Sequence, residues 1–196
     1  EISRLFSVSQ FLANFSISNP DRLLKAVKEI KLPFTRELIS RNAEPALSVD
    51  DSTNLEGFMK KIRIFKKTHL LSITLRDILG HTDLSGSMKE LTSLAEIIID
   101  ATLRCAAFLI ERRFGSPSSG ARISLIALGK LGGEELNYSS DVDLIAVFAD
   151  DEGETKGVPG PTGVVMNRLG NEEFYYKVVE LLNKLLSSNT EDGIAY

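Results

Sequence analysis

Two aspartates separated by one residue, Asp141 and Asp143, stand in the run Ser140-Asp141-Val142-Asp143-Leu144. The apolar residues that follow read as a β-strand, and in a strand residues i and i+2 project from the same face. The two carboxylates therefore share a face while Val142 and Leu144 turn toward a core. Negative charges held so close repel unless a divalent cation neutralises them. Mg²⁺ suits such a pair, because it takes one or two protein carboxylates and completes its octahedron with water and phosphate oxygens. Upstream lies the glycine-rich turn Gly129-Lys130-Leu131-Gly132-Gly133. Its backbone can come close to a ligand because glycine carries no Cβ.

The elements that must hold this arrangement can be read outward from it. Ile123–Leu128 is a short apolar run that reads as a buried strand leading into the turn, and residues 142–148 read as a second buried strand. Residues 150–170 contain Asp151, Glu152, Gly153, Pro159, Gly160, Pro161 and Gly163, a loop long enough to be expected mobile. Asn171 is expected to cap a last helix with Glu172 and Glu173 in its first turn and Val178, Leu182 and Leu185 on its apolar face. Asp192-Gly193 then turns into Ile194-Ala195-Tyr196, expected as the beginning of a third strand.

A different texture precedes the breaker cluster Gly115-Ser116-Pro117-Ser118-Ser119-Gly120. Over residues 7–114 apolar residues recur at helical spacing, as in Leu91, Leu94, Ala95, Ile98, Ala101, Thr102, Cys105 and Leu109, one stripe on a single long helix. Pro20, Pro33 and Pro45 punctuate shorter helices, with a loop over residues 43–53 ahead of a helix over 54–79 that Gly80 closes. Residues 1–115 are thus expected to form a helical region, packed on or beside a small α/β or α+β sheet over residues 116–196.

Composition narrows the function classes. Lys+Arg 23 against Asp+Glu 27 gives a net charge of −4, no electrostatic reason to expect nucleic acid or an anionic membrane as partner. With 43% hydrophobic and 26% charged residues the chain is ordinary for a globular protein. Its apolar runs fall short of the roughly 20 residues that a membrane span needs. The single cysteine, Cys105, excludes an internal disulfide and fits a reducing, cytoplasmic setting. The chain opens on Glu1 without a signal pattern, which reads as a segment of a longer polypeptide. His69 and His81 lack a second ligand at metal spacing and are expected at the surface or at a helix end. Lys60, Lys61, Arg63, Lys66 and Lys67 spread around a helix and read as a solvated face, or else as a contact for an acidic partner surface or for nucleotide phosphates.

The order strand, glycine-rich turn, short helix, then Ser-Asp-hydrophobic-Asp-hydrophobic resembles the nucleotidyltransferase superfamily. In that pattern a hydrophobic-Gly-[Gly/Ser] element precedes the first aspartate. Leu128-Gly129-Lys130 has the family's distance, with ten residues between Lys130 and Asp141, but has Lys130 where Gly or Ser is usual. Leu131-Gly132-Gly133 has the usual residue types but leaves only seven. Which glycine cradles phosphate is open between them.

Gly-Lys-Leu-Gly-Gly-x-Glu-Leu followed by Ser140-Asp141-Val142-Asp143-Leu144 looks more narrowly like the bifunctional glutamine synthetase adenylyltransferases, in which lysine at this place is normal. Arg63-Ile64-Phe65-Lys66-Lys67 and Arg76-Asp77-Ile78-Leu79-Gly80 are similar to that family's basic helix, although His69 stands where an acidic residue is expected. Thr190-Glu191-Asp192-Gly193-Ile194-Ala195-Tyr196 is similar to the segment leading into its third catalytic strand. The likeness is specific from about Phe58 onward.

This resemblance implies an α+β fold, a helical N-terminal region packed on a small mixed-sheet nucleotidyltransferase core of the polymerase-beta-like kind, truncated at the third catalytic strand. It implies Asp141 and Asp143 as catalytic residues and Mg²⁺ ligands, with Gly129, Lys130, Gly132, Gly133 and Ser140 against nucleotide or phosphate. The family's third carboxylate is expected beyond Tyr196, so residues 1–196 alone are expected to be impaired. Asn137-Tyr138-Ser139-Ser140 resembles the N-terminal, deadenylylating half. The implied reaction is phosphorolysis of adenylyl-tyrosine on adenylylated glutamine synthetase, taking phosphate and giving ADP. The alternatives are the adenylylating half, which transfers AMP from ATP, and a non-catalytic module that binds glutamine synthetase. A PII-type signal protein is a further expected partner of the whole enzyme.

Overall fold

The computed structural model describes residues 2–117, 122–148, 152–161 and 163–196. The helical region comprises α1 (Ile2–Val8), α2 (Gln10–Ser18), α3 (Pro20–Glu29), α4 (Arg36–Ala46), α5 (Leu55–Ile78) and α6 (Leu84–Phe114). After it come β1 (Ile123–Leu128), the single turn α7 (Gly129–Gly132), β2 (Asp143–Phe148), β3 (Val158–Pro159), β4 (Val165–Met166) and α8 (Asn171–Ser187). Among the described residues no helix is long and apolar enough to cross a membrane.

Local chemistry sets these boundaries. The side chains of Ser9, Thr35, Asn54 and Asp83 each accept an N–H from the first turn of the helix they precede, satisfying donors that have no partner within the helix. Pro20 opens α3, where its missing N–H costs nothing. Gly80 follows α5 at φ +73°. Pro45 does not end α4 as its type predicts, but sits in the last turn, and the Leu47 N–H closes the helix on the Ala43 carbonyl.

Two apolar cores result. The larger gathers Phe58 and Ile62 of α5, Leu94, Ile98 and Cys105 of α6, and Val178, Leu182 and Leu185 of α8, so it runs through both regions of the sequence. The smaller packs Leu5, Leu12, Leu23, Ala26 and Ile30 against Leu71 and Leu75. Helix α5 belongs to both, which is why its buried residues lie all around it rather than on one stripe. Each buried Leu, Ile or Phe contributes roughly 1.5–3 kcal/mol.

The described strands pair only antiparallel, in two two-stranded sheets, where a mixed sheet was expected. In the first, Leu128 lies opposite Asp143 and Ile126 opposite Ile145. Ile123, Leu125, Ala127, Leu144 and Phe148 of this sheet pack on the larger core. Its other face is open: Ile126, Leu128, Ile145 and Val147 are 44% to 49% exposed, so these strands are one-sided and not buried on both faces. The loop expected over residues 150–170 carries the β3–β4 hairpin. It is tied back to the end of α6, where the Phe114 carbonyl accepts the Gly157 N–H at 3.1 Å. Gly115 permits that crossing, since a Cβ there would stand 2.3 Å from the Gly157 carbonyl oxygen. Ser118, Ser119 and Gly120 of the breaker cluster, and Asp150 and Asp151 of the loop, lie outside the described residues.

Three expectations are corrected. Ile194-Ala195-Tyr196 is not a strand: the Ala195 and Tyr196 N–H groups donate to the Leu186 carbonyl at 3.0 and 3.1 Å, folding the segment onto the end of α8. Asn171 is the first residue of α8 rather than its cap, and its side-chain amide donates to the Glu152 carbonyl. His69 is at neither the surface nor a helix end. It is 5% exposed, with Nδ1 2.9 Å from the Phe65 carbonyl and its ring 4.1 Å from that of Phe65. His81 is exposed just after α5, as expected.

The basic cluster also divides. Lys60 and Lys61 are solvated, but the other three turn inward and grip the C-terminal segment. Arg63, 1% exposed, donates to the carbonyls of Met59 (3.0 Å), Leu185 (3.1 Å), Gly193 (2.6 Å) and Ser188. Lys66 donates to the Ala195 carbonyl and lies 3.6 Å over the Tyr196 ring. Lys67 pairs with Asp192 at 2.9 Å. Burial, helped by Arg63, brings the Lys66 ammonium down to about 8.

Arg63→Ala should leave buried carbonyls without donors and lower stability by about 3 kcal/mol, a fall in melting temperature on the order of 10 °C. Arg63→Lys should recover less than half of the loss, because one ammonium cannot span four carbonyls; calorimetry of both variants checks this.

Burial, outweighing the bond to the Phe65 carbonyl, holds His69 down at about 4. The unfolded chain therefore binds a proton that the folded chain refuses between about pH 6.5 and about pH 4. Stability should be fully present above pH 6.5 and fall by on the order of 3 kcal/mol as pH drops toward 4. Urea titrations across that window should show this slope in the native chain and its loss in His69→Gln.

Candidate functional site

The site forms where β1 ends. The chain leaves Leu128, turns through α7, and returns along residues 133–140 to enter β2 at Asp143. Because Leu128 and Asp143 are paired across the sheet, the glycine turn lies beside the second carboxylate. Gly129 has φ +55°, a left-handed backbone that glycine adopts without penalty, and a Cβ there would sit 3.0 Å from Asp143 Oδ2. Gly132 answers a different need: a Cβ would approach the Ala127 carbonyl oxygen to 2.5 Å, so its absence lets α7 pack on β1. Gly133 is under neither constraint, with its nearest contact an ordinary 3.5 Å.

Asp141 and Asp143 are both exposed, while Val142 and Leu144 alternate with them and pack toward the larger core. Asp143 opens β2 on the open face of the sheet with Leu128 and Ile145, and Asp141, two residues before the strand, is exposed on the side away from Val142. Lys130 is exposed on α7, and the next residue, Leu131, anchors that turn in the core at 2% exposure.

The loop before Asp141 is built by its own side chains. Asn137 Oδ1 accepts the Ser139 N–H at 3.1 Å and the Ser140 hydroxyl at 2.8 Å, and Ser140 Oγ in turn accepts the Asn137 N–H at 3.1 Å. Such local bonding fixes a turn without a regular ladder. Ser140 therefore stands next to the carboxylates with its hydroxyl engaged by Asn137.

Two supports escape a reading of local pattern. Tyr138 donates its hydroxyl to Asp77 Oδ2 at 2.9 Å, tying this loop to α5, and burial together with that bond raises its pKa. The Leu136 N–H donates to Thr92 Oγ1 of α6 at 3.4 Å. Both contacts join residues more than forty positions apart, so no spacing rule reveals them.

The carboxylate pair fits a hard divalent cation in its donor chemistry, and the bare Cα of Gly129 leaves room beside Asp143 Oδ2. Among the described residues no group of three or more His, Cys, Asp or Glu gathers that could hold a metal ion.

Comparison with known proteins identifies a family. A family model described as glutamate-ammonia ligase adenylyltransferase matches residues 1–196. A bifunctional glutamine synthetase adenylyltransferase/adenylyl-removing enzyme of Thioalkalivibrio sulfidiphilus is 30% identical over 98% of this chain and 19% of its own length. The enzyme of the same description from Burkholderia pseudomallei is 31% identical over 97% of this chain and 20% of its own length. That from Haemophilus ducreyi reaches 36% over 72% of this chain and 14% of its own. The chain spans about a fifth of the length of such relatives.

The three glycines should separate on substitution. Gly129→Ala should cost about 1–2 kcal/mol through backbone strain and Gly132→Ala about 1–3 kcal/mol through overpacking, whereas Gly133→Ala should stay within about 0.5 kcal/mol. Urea midpoints of the three variants check the order.

Proposed function

This chain belongs to the glutamate-ammonia ligase adenylyltransferase family, and from that membership we propose that it carries the carboxylate pair of a deadenylylating centre. The substrate is glutamine synthetase bearing AMP on a tyrosine, and the reaction is phosphorolysis. The observation that supports it most is the placement of Asp141 and Asp143 on one exposed face, with Gly129 against Asp143. The resemblance of Asn137-Tyr138-Ser139-Ser140 to the N-terminal half favours removal of AMP over its attachment.

In this reading an oxygen of inorganic phosphate attacks the α-phosphorus of adenylyl-tyrosine in line. A P–O bond forms to the incoming phosphate as the P–O bond to the tyrosine oxygen breaks. The tyrosine oxygen takes up a proton, and the nucleotide leaves as ADP. Asp141 and Asp143 would hold Mg²⁺, whose charge offsets that of the phosphodiester when bound. The backbone N–H groups after Gly129, in either glycine anchor, orient phosphate oxygens, and Lys130 on exposed α7 attracts them. Asn137 holds Ser140, and with it the approach to Asp141, in a fixed turn. The family's third carboxylate is expected in a strand after Tyr196, so residues 1–196 alone turn over slowly.

The decisive measurement is phosphate-dependent release of ADP from adenylylated glutamine synthetase, with Mg²⁺, by the chain extended beyond Tyr196 through the next strand. Asp141→Asn and Asp143→Asn should each lower that rate by about two to three orders of magnitude. Absence of ADP from a folded sample that instead yields pyrophosphate from ATP would assign the adenylylating half. Full activity of residues 1–196 alone would remove the third-carboxylate part of the reading.

A further inference from the structure

A cavity of about 550 Å³ opens between α3, α4 and α5, and none of the residues around the carboxylate pair lines it. Its size is that of a small-molecule pocket. One wall is aromatic. Phe65 and His69 lie 4.1 Å apart between ring centroids, and Phe34 lies 5.9 Å from His69. The imidazole belongs to the wall rather than to a ligand: Nδ1 donates to the Phe65 carbonyl, which leaves Nε2 to accept from the Asn42 amide at 3.4 Å.

The mouth is basic. Arg22 and Lys25 of α3 and Lys60 and Lys61 of α5 all line the cavity, with Glu29 as the one acidic side chain in the lining. Among the described residues none of the four cations has a carboxylate within ion-pair distance. Arg22 donates to Thr68 Oγ1 at 2.8 Å, and Lys61 reaches a backbone carbonyl only at 3.5 Å. Four like charges against one carboxylate around an apolar cavity repel one another, and low-dielectric walls focus their field on whatever enters.

We propose that this cavity binds a small organic anion with an aromatic body, its charged group held by Arg22, Lys25, Lys60 and Lys61 and its ring laid against Phe34 and Phe65. Charge complementarity selects the anion, and the aromatic wall selects a flat apolar body over a bare inorganic ion. The site is separate from the carboxylate pair and stands independently of the reaction proposed there.

The probe is 2-naphthoate, titrated into the ¹⁵N-labelled chain and followed by amide chemical shifts, with 2-naphthalenemethanol as the uncharged ring of the same shape. Saturable shifts are expected at Ala26, Asn42 and Thr68, and the alcohol should bind at least about tenfold more weakly. Lys60→Glu with Lys61→Glu should weaken naphthoate by about tenfold or more, and the milder pair Lys60→Gln with Lys61→Gln by several-fold, in about the same measure for each charge removed. Lys28→Glu, an exposed α3 position outside the lining, should leave the affinity within about twofold. Absence of saturable shifts, shifts centred on Ile126 and Ile145 of the open sheet face, equal affinity for the alcohol, or indifference to both Lys60/Lys61 pairs would each overturn the proposal.

Discussion

Arg63 sits 1% exposed in the middle of α5, with its guanidinium committed to the carbonyls of Met59, Leu185, Ser188 and Gly193. Two of those carbonyls, Leu185 and Ser188, belong to the last turn and cap of α8, where helix carbonyls lack intrahelical partners and the helix dipole is negative. A cation in that position replaces the water those groups would otherwise need. The forked geometry of arginine lets one side chain serve four acceptors at once. Lys66 and Lys67 extend the grip to Ala195 and Asp192. The end of α8 and the segment after it are thereby fixed against α5, and α8 in turn packs on α6 and supports the sheet through Tyr175, which stacks on Phe148 at 5.0 Å.

That sheet has one covered and one open face, and the carboxylates lie on the open one. The covered face binds it to the larger core, while the open face leaves Ile126, Leu128, Ile145 and Val147 exposed beside Asp141 and Asp143. The rigidity the pair needs comes from elsewhere: from Leu131 and Leu136 sunk in the core, from the Tyr138–Asp77 bond, and from glycines that let α7 lie close on β1. Carboxylates on a strand backed by such contacts are better placed than they would be on a free loop.

Legibility from sequence followed the range of the interactions involved. The α5 and α6 helices and the break at Gly80 could be read because periodicity and glycine's turn preference act within a few residues. The face shared by Asp141 and Asp143 could be read for the same reason. Pro45, His69 and Ile194-Ala195-Tyr196 were misleading because their neighbours in space decide their state. Pro45 falls in a last turn that tolerates it, His69 is enclosed by Phe34 and Phe65, and the final residues bond to Leu186 in place of a strand.

The sequence by itself determined the local chemistry of this protein: helices where apolar residues recur at their period, strands where short apolar runs lie between turns, a glycine turn and two carboxylates two residues apart. Only the tertiary structure decided that Arg63, Lys66 and Lys67 face inward, that Gly129 abuts Asp143, and that four cations ring a cavity between α3, α4 and α5. The physical reason is that spacing along the chain fixes which residues share a face. Whether a charge on that face meets water, a carbonyl or another charge depends on segments more than a hundred residues away, as Gly193 is from Arg63.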